Sequence, residues 1–277
     1  MKNVLLLTDF SQSSINAMRY ALQLFDDELC NFFVLHVEIS TSYISDDLMQ
    51  AGNQSIYDSL VKKSKHKLAK LVTKLESEFK NKNFNFEILV DHDVLPDAIN
   101  QAIISKAIDL IVMGTNGVTG AKETVFGSNT INVIRKVDCP TLVIPEGFQY
   151  KDPNAILLPL DVFDTISGNA FTGVLKFTNR FCKKLHILRI TPHNETSNEA
   201  LKDSDHINYF FKETDYEYHV VNNIPMEHVV SCYTQTHQID LTALLVQRES
   251  FFERFFIGSP TTQISNKISV PLLIFHS

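Results

Sequence analysis

Residues 109–120 read Asp-Leu-Ile-Val-Met-Gly-Thr-Asn-Gly-Val-Thr-Gly, an apolar run that stops at a glycine-rich segment. Residues 240–246, Asp-Leu-Thr-Ala-Leu-Leu-Val, repeat the apolar part in the second half of the chain. A short strand that is apolar along its whole length is typical of the centre of a parallel sheet, where helices cover both faces. The stretch therefore predicts an α/β fold, and its repetition predicts two such sheets.

The other predicted strands and helices also follow the same order in both halves. Further strands are predicted at residues 4–9, 32–37, 84–90 and 140–144 of the first half and at 156–161, 185–190, 216–221 and 271–275 of the second. Helical stretches are predicted at residues 14–25, 56–79, 167–181 and 195–212, after Pro96 and Pro225, and from Gly127-Ser128 and Gly258-Ser259. Strands that alternate with helices indicate right-handed crossovers and a doubly wound, mainly parallel sheet in each half.

This duplication fixes the expected domains. A chain of 277 residues exceeds the roughly 100–150 residues of one ordinary domain. Pro145, Gly147 and Pro153 mark a linker, since these residues interrupt helices and strands. We expect one domain at residues 1–146, a linker at 147–154 and a second domain at 155–277.

The composition excludes several classes of protein. The formal net charge is −7, and both halves are negative, which argues against binding to nucleic acid. No apolar run approaches the ~20 residues of a membrane-spanning helix, and residues 4–7 are too short for the core of a signal peptide. We therefore expect a cytoplasmic protein without membrane partners. No spacing typical of a metal site or of a catalytic serine or histidine occurs, so neither catalytic nor metal-ligating residues are predicted.

The candidate site follows the first and fourth strands of the first half. In doubly wound sheets, ligands bind beyond the carboxyl ends of the strands where the strand order reverses. The residues expected there are Thr8, Asp9, Phe10, Met113, Gly114, Gly117, Gly127, Ser128, Asn129 and Thr130. Glycines allow backbone amides to approach a phosphate, and a helix N-terminus offers unpaired N–H groups. The spacing alone equally allows a structural turn at the glycines and a simple helix cap at Ser128.

The spacing of the glycines also carries a resemblance. Two residues separate Gly114 from Gly117, and nine more lead to Gly127-Ser128. This pattern resembles the nucleotide-binding signature of the ATP-binding universal stress proteins. The opening residues 4–11, the Leu-His-Val at residues 35–37 and the Cys-Pro-Thr-Leu-Val-Ile at 139–144 are also similar to that family. Leu7 stands where many members have proline.

The resemblance implies a fold, a ligand and roles for single residues. Each domain would be an adenine-nucleotide α-hydrolase-like sheet of five strands in the order 3-2-1-4-5. Asp9 would contact the ribose or adenine of ATP, or of AMP or ADP, and the backbone of Val37 would face the adenine. Met113 and Gly114 would lie along the nucleoside. The phosphates, with or without Mg²⁺, would be held by Gly117, Gly127, Ser128, Asn129 and Thr130.

The second half retains Asp161 but lacks the first two glycines of the signature. Residues 247–257 read Gln-Arg-Glu-Ser-Phe-Phe-Glu-Arg-Phe-Phe-Ile. Four bulky phenylalanines and two glutamates oppose a polyanion at this place, so we expect no nucleotide in the second domain. The phenylalanine pairs either pack within the protein or mark a contact with a partner.

The sequence therefore leads to a stress-response regulatory protein that binds ATP in its first domain. The family is usually dimeric through its last strands, so residues 141–144 and 272–275 would pair as an internal pseudo-dimer, and a homodimer is also expected. A slow ATPase or phosphotransferase using Lys122 and Ser128 is the main alternative. A scaffold that needs no nucleotide is the other.

Overall fold

The structure is a computed structural model, and it describes residues 1–38, 54–80, 83–115, 127–162, 164–191, 203, 206–207, 210, 214–246 and 269–276. By the contacts between its residues, the chain divides into two compact units, Met1–Gly114 and Thr115–Ser277.

The first unit alternates strands with helices. Its elements are β1 (Lys2–Leu7), α1 (Gln12–Leu24), β2 (Cys30–Val37), α2 (Gln54–Phe79), β3 (Phe84–Asp91), α3 (Leu95–Lys106) and β4 (Leu110–Gly114). Helix α1 begins where the Ser11 hydroxyl accepts a hydrogen bond from the Ser14 backbone N–H. Helix α3 carries Pro96 in its first turn and ends at Ala107, which adopts the left-handed conformation common at helix ends.

The sheet of this unit has the order β3-β2-β1-β4, and its described pairs are parallel. Val4, Leu5 and Leu6 of β1 have no exposed surface, as expected for a central strand covered on both faces. β1 pairs with β2 on one side and with β4 on the other. The strand order therefore reverses between β1 and β4.

The second unit contains the rest of the strands. Its elements are α4 (Ser128–Lys136), β5 (Thr141–Ile144), β6 (Ala155–Leu160), α5 (Gly168–Phe181), β7 (Lys184–Thr191), β8 (Asp215–Asn222), α6 (Met226–Thr236), β9 (Leu241–Val246) and β10 (Leu272–His276). They form a sheet in the order β5-β10-β9-β6-β7-β8. The pairs are parallel except for β5 with β10, where Leu142 lies opposite Leu273 in an antiparallel register.

The predicted fold class is confirmed, and the predicted strand order is matched in part. The order β8-β7-β6-β9-β10 of the second unit is the expected one, and so is the order of the first four strands. The fifth strand of the first half, β5, groups with the second unit, where it pairs with β10. Within the described residues, no helix combines the length and the apolar character needed to span a membrane.

Candidate functional site

The candidate site of the first unit lies where β1 and β4 end side by side. Leu6 pairs with Val112, so the residues after Leu7 and the residues at the end of β4 emerge at the same edge of the sheet. In a doubly wound sheet, this reversal of strand order leaves a crevice for a ligand. Thr8, Asp9, Phe10, Met113 and Gly114 are the predicted site residues that the structure brings to this edge.

The turn after β1 is held by its own polar side chains. The buried Thr8 hydroxyl accepts from the Phe10 backbone N–H at 2.9 Å and shares a hydrogen bond of 3.0 Å with Ser14. Asp9 accepts from the Ser11 backbone N–H at 2.9 Å, while its side chain stays exposed. Desolvation raises the pKa of Asp9, but hydrogen bonds from Ser11 and Ser14 outweigh it and lower the pKa overall. The turn therefore presents an ionised carboxylate at the sheet edge.

Phe10 completes this turn in a conformation that is rare for a bulky residue. Its φ is 65°, in the left-handed region. Its ring lies against the imidazole of His36 with centroids 4.5 Å apart. Strain of this kind persists only where surrounding contacts hold it, and such positions cluster at functional sites.

Gly114 ends β4 in close contact with the first turn of α1. A Cβ atom built on Gly114 would lie 2.6 Å from both the carbonyl oxygen and the hydroxyl of Ser13. Since real Cβ atoms do not approach backbone so closely, only glycine fits this position. Its neighbour Met113 is buried.

The predicted phosphate-binding residues at the start of α4 belong to the second unit and are described within it. Gly127 is the N-cap and supplies no side chain, so the backbone N–H groups of the first turn are not capped by it. Ser128 and Asn129 are exposed. Thr130 is fully buried, and its hydroxyl has no hydrogen-bond partner within the described part of the chain. The helix end therefore offers the amide and hydroxyl donors that a phosphate accepts.

Two residues of the prediction cannot be placed. Gly117 and Lys122 lie outside the described residues, as do the phenylalanines at 251, 252, 255 and 256. Val37 is described as the half-buried last residue of β2, paired with Asp91 of β3.

Comparison with known proteins settles the family. Residues 1–145 match the family model described as the Universal stress protein family, which is more than half of the chain. The chain belongs to this family. The universal stress protein MJ0531 of Methanocaldococcus jannaschii is 30% identical over 146 residues, covering 52% of this chain and 81% of that protein. The universal stress protein Slr1230 of Synechocystis sp. is 23% identical over 300 residues, which cover the whole of both chains.

A solved structure agrees at the level of the fold. A universal stress protein from Archaeoglobus fulgidus superimposes with a TM-score of 0.75 at 14% identity, over 99% of this chain and 98% of that one. The tandem arrangement of this universal stress protein is therefore shared with relatives of similar length.

In the second half of this universal stress protein, a buried arginine that was not predicted from the sequence lies beside the turn that follows β6. Arg189 has no exposed surface, and its Nε and Nη2 atoms each donate to the Asp203 carboxylate at 2.7 Å. Its Nη1 atom donates to the carbonyl oxygens of Asp161 and Asp164. Tyr218 also donates to Asp203 at 2.7 Å. The signal in the sequence is an arginine within the apolar residues of β7.

This buried network also affects a neighbouring acid. Burial and the carboxylate of Asp161 raise the pKa of Asp164 to about 7, although Arg189 acts in the opposite direction. Asp164 accepts a hydrogen bond from the Asp161 backbone N–H at 2.9 Å. The turn after β6 is thus held by hydrogen bonds from Arg189 and within the turn itself.

Proposed function

We propose that residues 1–146 of this universal stress protein bind one adenine nucleotide, with ATP as the main ligand and AMP or ADP as alternatives. The observation that carries the proposal is the glycine-spaced segment from Gly114 to Ser128, together with the fit of Gly114 against Ser13. A side chain at Gly114 would occupy space beside the turn of Asp9. Occupancy by the nucleotide would regulate a stress response, and hydrolysis is not required for that role.

The residues present suit such a ligand. Asp9 is exposed and ionised, so it is available to accept hydrogen bonds from the hydroxyls of a ribose or from an adenine amine. The donors at the start of α4, including the Thr130 hydroxyl, which has no partner among the described residues, suit phosphate oxygens. Val37, Met113 and Gly114 would line the nucleoside. Gly117, Gly127, Ser128 and Asn129 would join Thr130 around the phosphates, with Mg²⁺ bound to the phosphates themselves.

The second domain is proposed to bind no nucleotide. Arg189, Asp203 and Tyr218 satisfy one another beside the turn that follows β6. Four of the five N–H donors of the guanidinium are taken by a carboxylate and two carbonyls, and the side chain has no exposed surface, which does not suit the binding of a phosphate.

The domain limits and the association of the halves are also part of the proposal. Residues 145–154 contain no helix or strand, and the family match ends at residue 145, which supports a linker at 147–154 between domains 1–146 and 155–277. The antiparallel pair of β5 and β10 joins the last strands of the two sequence repeats. It supports an internal pseudo-dimer. A cytoplasmic location and a further homodimer belong to the same proposal.

The proposal is tested by the nucleotide that the purified protein carries and binds. The protein is denatured by heat, released nucleotide is identified by chromatography, and the emptied protein is titrated with ATP beside Gly117→Phe. We expect about one adenine nucleotide per chain and its loss in the variant. Neither bound nor titratable nucleotide would overturn the proposal in favour of a scaffold. Mg²⁺-dependent turnover that Lys122→Ala or Ser128→Ala abolishes would instead establish an ATPase.

A further inference from the structure

His36 ties the turn after β1 to the end of β2. Its Nδ1 atom lies 2.8 Å from the carbonyl oxygen of Thr8. Because a carbonyl oxygen only accepts, Nδ1 carries the hydrogen in this contact. The hydrogen bond fixes the residue that immediately precedes Asp9.

The other nitrogen of the same ring faces an acid. His36 Nε2 lies 3.5 Å from Glu38 Oε2, and the two side chains are mostly buried. In the neutral ring this nitrogen is an acceptor, so it faces the carboxylate without a proton between them. In the protonated ring both nitrogens donate, one to Thr8 and the other to Glu38.

Glu38 extends the connection to helix α2. It accepts a hydrogen bond from the buried hydroxyl of Ser64 in α2. This hydrogen bond is the largest cause that lowers the pKa of Glu38, ahead of the opposing effect of desolvation and the attraction of His36 and His92. The carboxylate is therefore ionised while it faces His36.

Helix α2 also reaches the turn directly. The Lys67 ammonium of α2 lies 5.4 Å from the centroid of the Phe10 ring. The same ring also contacts the imidazole of His36. The strained Phe10 and the exposed Asp9 are thus held from β2 and from α2 together.

The second half has a similar connection, with an arginine in place of the histidine. Leu7 pairs with Leu35 and Pro159 pairs with Leu188, in each case two residues before the acid that follows the strand. The next residue of the neighbouring strand is His36 in one half and Arg189 in the other. Arg189 donates to the carbonyl oxygen of Asp161, one residue beyond the equivalent of Thr8, and it binds Asp203 in a helical segment. The position therefore connects the turn after the first strand of each half to the helical segment that follows.

We propose that His36 is the positioning residue of the nucleotide site. This inference rests on the proposed function. The hydrogen bond from His36 Nδ1 to the Thr8 carbonyl oxygen and the contact of the imidazole with the Phe10 ring hold the turn of Asp9 and Phe10 in the geometry that receives the nucleoside.

The test is the affinity of the full-length protein for ATP, measured beside its free energy of unfolding. His36→Phe keeps a ring against Phe10 and removes the hydrogen bond to Thr8, so we expect roughly fivefold weaker binding, the size of one hydrogen bond. His36→Asn keeps an N–H donor near the place of Nδ1, and it is expected to recover most of the affinity.

Two further variants separate positioning from general damage. Glu38→Gln keeps a partner for Ser64 and leaves the hydrogen bond of His36 to Thr8 in place, so it is expected to bind ATP like the wild type. His66→Phe makes the same substitution as His36→Phe on the exposed face of α2 and is expected to change neither affinity nor stability.

The outcomes distinguish the two proposals. Wild-type affinity retained in His36→Phe would overturn the role of His36 and leave nucleotide binding standing. If His36→Phe does not fold, the affinity of His36→Leu, which also lacks the donor, decides in its place. No binding of ATP by the wild type would overturn both proposals.

Discussion

At the scale of single residues, Gly114 shows how a close backbone contact limits which side chain a position can carry. The start of α1 comes so close to the end of β4 that a methyl group would meet the Ser13 carbonyl oxygen at 2.6 Å. The constraint is steric, since Gly114 does not have a positive φ. At this position glycine is therefore required for lack of space and not for its freedom to adopt a positive φ.

Gly114→Ala is expected to lower the free energy of unfolding by about 1–3 kcal/mol and to weaken ATP binding, because the new methyl group forces α1 and β4 apart. Urea denaturation and ATP titration measure the two effects. Gly147→Ala is the control, since Gly147 has a φ of 72° and open space around its Cβ position. It should cost about 1 kcal/mol through backbone strain and leave binding unchanged. Equal binding by both variants would contradict the placement of Gly114 in the site.

Arg189 and Asp203 allow a second comparison between residues, because the first unit holds a similar ion pair at its surface. Arg19 also binds its partner, Glu78, through two nitrogens, at 2.8 and 3.0 Å, but both side chains are partly exposed. Arg189→Met is expected to cost about 3–5 kcal/mol, because it leaves the Asp203 carboxylate buried without its cation. Arg19→Met is expected to cost at most about 1 kcal/mol.

Chemical denaturation measures both losses. The double variant Arg189→Met with Asp203→Leu should recover part of the lost stability, since it removes the buried charge as well as its partner. Recovery stays incomplete, because two carbonyl oxygens also lose their donor. Similar costs for Arg189→Met and Arg19→Met would show that burial does not set the strength of the inner pair.

At the scale of elements, helix α4 carries a buried hydroxyl for which the described part of the chain supplies no partner. The Thr130 hydroxyl is buried in the first turn without a partner among the described residues, whereas the equally buried Thr141 hydroxyl donates to the Cys139 carbonyl oxygen at 2.9 Å. A buried hydroxyl without a partner is costly, so a ligand that accepts from it gains affinity.

Thr130→Val is therefore expected to leave the free energy of unfolding unchanged within about 0.5 kcal/mol, or to raise it, while it weakens ATP binding several-fold. Adenosine, which lacks phosphates, should bind as before. Thr141→Val is the matched control and should lose about 1 kcal/mol of stability without an effect on ATP. Thermal unfolding and ligand titrations measure these values. If Thr130→Val binds ATP like the wild type, Thr130 has no part in phosphate binding.

At the scale of the whole molecule, one buried imidazole is expected to contribute to the pH dependence of the stability of the second unit. His186 of β7 is 5% exposed, and its Nδ1 atom lies 3.0 Å from the Tyr233 hydroxyl of α6 and 3.4 Å from Glu217 of β8. Burial lowers the pKa of His186, and Lys184, His237 and His219 act in the same direction, against Glu217. The neutral ring is thus favoured in the folded state.

A pKa of His186 below the ordinary 6.5 determines the direction in which this group changes the stability with pH. At His186 the unfolded chain binds a proton more readily than the folded one, so the contribution of this group lowers stability as the pH falls below about 6.5. The raised pKa of Asp164 acts in the opposite direction, so the effect of His186 is measured as a difference between variants. In urea denaturation between about pH 7.5 and pH 5, His186→Gln should become more stable relative to the wild type as the pH falls, whereas His219→Gln, which changes an exposed histidine facing the same Glu217, should follow the wild type. A pH dependence that changes only in His219→Gln would contradict the role of His186.

Much of this organisation followed from the sequence, because it depends on local patterns. The apolar runs at residues 109–113 and 240–246 indicated central parallel strands, and β4 and β9 are buried as expected. The repeated order of strands and helices indicated two α/β halves. The glycine spacing indicated both the family and the edge of the sheet where a ligand would lie, since strand ends and glycine positions can be read along the chain.

The tertiary structure decided what depends on residues far apart in the chain. The assignment of β5 to the second unit arises from its pairing with β10, across more than a hundred residues of sequence. The contact of His36 with Thr8 and the pairing of Arg189 with Asp203 are likewise set by strand register and helix packing, which no local pattern encodes. The sequence by itself thus determined which elements form and where a ligand is expected. Only the folded chain determined which polar side chains meet at the strand ends, because their distances depend on how the elements pack.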